Sequence, residues 1–210
     1  MQENSPYRLL VEGVDDKHSV IHLMKRHNVD WDAPKQLIPY VCDCGGFDPL
    51  VKSLKVSVKT YERLGIIVDA NSALPQRWQQ VMNEFSQVEI KLPDSPDTKG
   101  TIVTGMFNDW KVGIWLMPDN QNKGELEDFL CKLVPKSDKC WPYSDEATKQ
   151  AKKIGAKFTD KEFFKAKIHT WLAWQENPGL PFGTAITAKY FGVDSPEALM
   201  FVQWFKQLFS

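Results

Sequence analysis

Acidic side chains that close apolar runs are where chemistry is most readily placed in this 210-residue chain. The run Leu9-Leu10-Val11 stops at Glu12 and Gly13, with Asp15 and Asp16 immediately after. The run Leu64-Gly-Ile-Ile-Val68 stops at Asp69, with Asn71 two residues on. A third run, Lys111–Met117, stops at Pro118-Asp119-Asn120, and Glu125, Glu127 and Asp128 follow. Carboxylates gathered in one small volume suit a hard divalent ion such as Mg²⁺ or Mn²⁺, which takes oxygen ligands. Two such ions can together stabilise the attacking and leaving oxygens of a phosphodiester displacement. Each acid taken alone has a plainer explanation, because helix N-caps and first turns favour acids. Three such ends in one sheet are harder to explain by capping.

The elements that position these residues follow from hydrophobic periodicity. Residues 7–13, 36–42, 64–68 and 111–117 read as strands, each a short apolar run bounded by Gly, Pro or acids. Pro39 puts the second strand's start or an edge nearby. Helices are expected to about Asn28 after the first strand, over about 48–63, from Pro75-Gln-Arg-Trp78, and from Gly124 onward. Residues 88–92 and 101–104 are expected to form a short hairpin around a Pro-, Asp- and Gly-rich stretch. Strand and helix alternate, so the fold class is α/β with a mostly parallel, Rossmann-like sheet flanked by helices. If the first and third strands are parallel neighbours, Glu12, Asp69 and Asn71 converge at their carboxyl ends, where open α/β sheets bind ligands. Beyond about residue 135 only helices are expected, over 145–164, 167–175 and 195–209. The division is therefore a core at 1–135 and a helical extension at 136–210, packed on the core because its helices carry many aromatics.

The blocks Val11-Glu-Gly-Val-Asp-Asp16 and Val68-Asp-Ala-Asn71 resemble the TOPRIM fold of topoisomerases, bacterial primases and OLD-type nucleases. Leu116-Met-Pro-Asp-Asn120, Gly124-Glu-Leu-Glu-Asp-Phe-Leu130 and Ile168-His-Thr-Trp-Leu-Ala-Trp174 look more closely like small stand-alone prokaryotic TOPRIM-like proteins, so the resemblance covers nearly the whole chain. It implies a metal-dependent nuclease acting on DNA or RNA. Glu12 would match the TOPRIM glutamate, as metal ligand or general acid/base, and Asp69 the first aspartate of Asp-x-Asp. Asn71 departs from the pattern at the second aspartate: its amide oxygen can bind magnesium but brings no charge. Asp16 and Glu127 resemble the additional acids of OLD-type nucleases and would hold a second ion. The metal set is thus Glu12, Asp16, Asp69, Asn71, Asp119 and Glu127. Lys165 and Lys167 are the candidates to neutralise charge developing on the phosphate. Two other readings stay open: a catalytically silent module that binds nucleic acid or a partner, and a phosphohydrolase for a small phosphate substrate.

Composition narrows little further. A formal net charge of -1 gives no global attraction to polyanions or membranes. No apolar run approaches the length of a membrane helix, and Met1–Pro6 has no secretory signal, so a cytoplasmic protein is expected. Cys42, Cys44, Cys131 and Cys140 have neither a disulfide-framework nor a zinc-clamp spacing. Lys149, Lys152, Lys153 and Lys157 fall on one helical face, either solvated or facing a phosphate backbone. The tryptophans could stack bases but suit the core. His18 and His22, four apart, have zinc-compatible spacing and are expected in solvent.

Overall fold

A computed structural model of the protein describes residues 3–32, 38–105 and 110–210. The first strand, β1 (Tyr7–Val11), leads into α1 (Val14–Arg26), and β2 (Tyr40–Asp43) into α2 (Phe47–Thr60). Residues 36 and 37 of the expected second strand lie outside the described residues. Next come β3 (Arg63–Asp69), α3 (Leu74–Ser86), β4 (Thr101–Thr104) and β5 (Lys111–Met117). Six further helical segments end the chain: α4 (Leu126–Lys132), α5 (Cys140–Lys153), a 3₁₀ turn at Asp160–Glu162, α6 (Phe163–Leu172), α7 (Phe182–Thr187) and α8 (Pro196–Phe209).

The sheet order is β2-β1-β3-β5-β4, with β4 alone antiparallel. This is an α/β fold with a mostly parallel five-stranded sheet flanked by helices. The chain moves outward from β1 to β2, then returns to the other side of β1 to lay down β3. That reversal makes a topological switch point between β1 and β3. Their register pairs Val11 with Ile67, which sets Glu12 beside the end of β3.

Both sheet faces are buried, and the period of two sorts the strand residues between them. Leu9, Val11, Ile67, Trp115 and Met117 join the core under α1, α4, α6, α7 and α8. Leu10, Leu64, Ile66, Val68, Ile114 and Leu116 join the opposite core under α2 and α3. Gly65 and Gly113 are register partners on the two central strands. A Cβ at Gly113 would stand 2.5 Å from Leu208 of α8, and one at Gly65 would stand 2.6 Å from Leu9. The two glycines let the carboxy-terminal helix settle onto the middle of the sheet.

Three sequence expectations need correction. Residues 88–92 do not pair with β4, which pairs with β5 instead. Val88 and Ile90 donate their N–H groups to Phe85, ending α3, and Trp78 Nε1 donates to the Pro93 carbonyl. The expected helix over 145–164 is two helices and a 3₁₀ turn, because the chain breaks at Gly155 with φ at 105°. Lys157 therefore stands beyond the end of α5. The short α7 falls in a segment whose flanking Pro and Gly residues concealed it. Among the described residues no helix is long and apolar enough to cross a membrane.

Candidate functional site

Glu12 follows β1 and Asp69 ends β3, so the switch point brings the two together. Glu12 Oε1 accepts a hydrogen bond from the Asp69 backbone N–H at 2.8 Å. The Asp69 carboxylate in turn accepts from the backbone N–H of Leu126, the first residue of α4, at 3.1 Å. The third acid-bearing segment is tied to β3 by paired backbone bonds between Asn71 and Gly124, at 2.8 and 2.9 Å. Asn71 takes a left-handed φ of 52° to make this bridge, a conformation asparagine tolerates.

Burial and crowding decide the protonation of this group. Burial first, then the charges of Asp16, Glu12, Glu125 and Glu127, push the Asp69 carboxyl up to about 9. Asp16 is 8% exposed. Burial, with the charges of Glu12 and Glu127 outweighing a bond from the Gly13 N–H, raises its carboxyl to about 7. Glu12 is also raised, by burial first; the Asp69 N–H and Arg77 pull the other way. Glu125 is raised by burial and by Glu127. Five carboxyls therefore interact at the carboxyl edge of β1 and β3 with too little positive charge to hold them all ionised.

Four cations approach the group. Lys165 on α6 pairs with Glu127 at 2.8 Å, an ion pair that raises the lysine above its usual value. Glu127 is itself buried, at 6% exposed. Arg77 of α3 lies over the Phe47 ring at 3.6 Å. With the Asn71 amide oriented to suit its neighbours, its Oδ1 accepts from Arg77 at 2.7 Å and its Nδ2 donates to Glu125 Oε1 at 3.0 Å. Lys123 and Lys161 line a hollow of about 230 Å³ beside Asn71, Glu125, Asp128 and Phe164.

Of the expected site residues, Glu12, Asp16, Asp69, Asn71, Glu127 and Lys165 are thus gathered. Asp119 and Lys167 are not. Asp119 closes its own turn by accepting from the N–H groups of Gln121 and Asn122, and it pairs with Lys132. Burial works to raise its carboxyl, but Lys132 and the donors of Asn122 and Gln121 outweigh it and hold the group below its usual value. Lys167 pairs with Asp145 at 3.0 Å and lies over the Trp141 ring at 3.9 Å. The capping explanation also applies to particular acids. Asp16 accepts from the Gly13 N–H at 3.0 Å, and Asp128 from the Glu125 N–H at 2.9 Å. Asp16 therefore caps α1 while facing the acidic group.

Sequence reasoning named Glu125 among the acids at the third strand end but left it out of the metal set, and it did not single out Arg77. Arg77 sits in an ordinary amphipathic pattern, and only the packing of α3 against α2 turns it toward Asn71. His18 is exposed and His22 partly so, as expected, and His22 also contacts α7, its Nδ1 lying 2.6 Å from Thr187 Oγ1. Among the tryptophans, Trp115, Trp171 and Trp204 are buried, as suits core residues.

The donor set is all carboxylate and amide oxygen, which suits Mg²⁺ or Mn²⁺. Among the described residues no three His, Cys, Asp or Glu side chains already stand at ion-holding geometry. Glu12 and Asp69 each direct one oxygen to a backbone N–H, and Asp16 does the same at its cap. Closing on an ion would require side-chain rotation by groups that are already adjacent.

A search of curated proteins returned no match, nor did a search of solved structures. One family model matches residues 6–210, nearly the whole chain, under the description "Protein of unknown function (DUF3226)". The chain belongs to the DUF3226 family.

Proposed function

We propose that this protein is a TOPRIM-like nuclease that hydrolyses phosphodiester bonds of DNA or RNA with Mg²⁺ or Mn²⁺. The observation that carries the reading is the crowding of Glu12, Asp16, Asp69, Glu125 and Glu127 at the switch point of the sheet, with Asp69 and Asp16 held at about 9 and about 7. Strongly perturbed carboxyls at the switch point of an open α/β sheet, where such sheets bind ligands, are a mark of functional sites. Glu12 and Asp69 would hold one ion, and Asp16 with Glu127 a second. A divalent ion bound there supplies positive charge at a scissile phosphate and acidifies water.

The chain's own residues would do the rest. Glu12, ionised once an ion is bound, would act as its ligand rather than as the proton donor to the leaving oxygen. Lys165, anchored by Glu127, would neutralise charge on the phosphate. Lys167 and Asp119 have no part in this arrangement, being engaged with Asp145 and Lys132.

The contact between Arg77 and Asn71 favours a second reading. A cation already occupies the amide oxygen that should bind metal. In a catalytically silent module that binds nucleic acid or a partner, Arg77 would replace the ion as the counter-charge to Glu12. Cleavage of single- and double-stranded DNA and RNA with Mg²⁺ or Mn²⁺, wild type beside Glu12→Gln, separates the two. Metal-dependent cleavage lost in the variant supports the nuclease; no cleavage by either protein supports the silent module.

A further inference from the structure

A second hollow, of about 370 Å³, adjoins the one beside the acidic group. The two share Lys123, Asp128 and Phe164 as lining residues. Their chemistry changes across that shared wall. The first is lined by Glu125, Asp128 and Asp160 against two lysines. The second is lined by Lys123, Lys132 and Lys167 against Asp128 alone, with Trp141 forming part of its wall. Lys132 and Lys167 are held in place by Asp119 and Asp145, whereas Lys123 makes no ion pair among the described residues. At the boundary stands Phe164, a large apolar side chain left 45% exposed. Its backbone is fixed at the first turn of α6, and the neighbouring Phe163 ring meets it edge-on at 5.7 Å.

An exposed aromatic ring beside a lysine with no ion pair among the described residues matches the alternation of base and phosphate along a single nucleic-acid strand. A base needs a π face to stack on, and the phosphate beside it needs a cation. A duplex keeps its bases stacked inside and offers none to Phe164. We propose that the shared wall is a subsite for single-stranded nucleic acid, in which Phe164 stacks a base and Lys123 holds the adjoining phosphate. The strand then continues from the lysine-lined hollow toward Glu12 and Asp69. This deepens the nuclease reading and rests on it for the strand's direction, but the binding itself requires neither metal nor cleavage.

The test is fluorescence anisotropy with a short labelled oligothymidylate in EDTA, repeated with the matching duplex. Phe164→Ala is expected to weaken single-strand binding by about 5- to 100-fold, the range of a lost base–aromatic stack. Phe164→Tyr, which keeps the ring, is expected to bind as the wild type does. Lys123→Gln is expected to reduce the slope of log K against log salt by about 0.7, one single-strand phosphate contact. The duplex is expected to bind more weakly, with no difference between wild type and Phe164→Ala. Wild-type affinity in Phe164→Ala, an unchanged salt slope in Lys123→Gln, equal binding of duplex, or no binding at all would each overturn the subsite. Glu12→Gln in a parallel cleavage assay keeps the two ideas apart. Binding that depends on Phe164, without cleavage by wild type, removes the nuclease and leaves the subsite. Cleavage that depends on Glu12, with binding indifferent to Phe164, does the reverse.

Discussion

Replacing Asp69 by asparagine perturbs the acidic group with least disturbance of shape. The Asp69 oxygen that accepts from the Leu126 N–H at 3.1 Å has an equivalent in the amide, so the local bond survives. What changes is proton binding. Burial first, then neighbouring acids, hold the native carboxyl at about 9 against an ordinary 3.8. Between those values the native protein keeps a proton that the unfolded chain has released. Stability therefore falls as pH rises through that window, by up to about 1.4 kcal/mol per pH unit for one group. Asp16 adds a loss of the same sign between 3.8 and about 7. From about pH 5 to about pH 8 the Asp69 share has a ceiling of about 4 kcal/mol. Neighbouring carboxyls can take up the proton in its place and water can enter, so the expected share is about 2 kcal/mol. Asparagine has no proton to release, and the variant should become the more stable protein at about pH 8 by about that amount. Urea unfolding in EDTA, followed by tryptophan fluorescence across the pH range, reads the difference. Parallel pH profiles, or a less stable variant at about pH 8, would refute the reasoning.

Three other outcomes are expected. Gly113→Ala places a Cβ 2.5 Å from Leu208 and should destabilise the fold by about 1–3 kcal/mol in the same urea assay; an unchanged midpoint would mean that α8 does not press on the sheet. Asn71→Asp removes the donor to Glu125 and adds charge, so it should lower apo stability by about 1 kcal/mol while tightening Mn²⁺ binding by about tenfold; weaker Mn²⁺ binding by calorimetry would count against a metal role for this position. Lys165→Gln should lower stability by about 1–3 kcal/mol, because the lysine is half exposed but leaves the buried Glu127 without its cation, and should slow cleavage by about 100-fold or more. Equal cleavage rates would remove Lys165 from the chemistry.

Much of the sheet was legible because its signals are local. Apolar runs closed by acids located β1, β3 and β5, and alternation with helices predicted parallel pairing. The convergence of Glu12 with Asp69 needed only the neighbouring placement of β1 and β3, which the register supplies. The misplaced elements lacked such signals. Val88 and Ile90 have strand-like side chains, but their backbone ends a helix, and β4 found its partner in β5 instead. Asp119 looked equivalent to Glu12 and Asp69 by its position after a strand. A turn of its own and Lys132 engage it, a distinction that depends on contacts two to thirteen residues along the chain. Arg77 and Phe164 were invisible as site residues, since their relevance comes from neighbours distant in sequence.

The proposed nuclease requires the crowded carboxyls to receive a divalent ion. Isothermal titration of Mn²⁺ at about pH 7, in buffers of different ionisation enthalpy, tests it most directly, because ion binding must expel protons the carboxyls hold. Binding is expected with release of about one to two protons, from Asp69 and Asp16, and with loss of most of that release in Asp69→Asn. No binding, or binding without proton release, would contradict it.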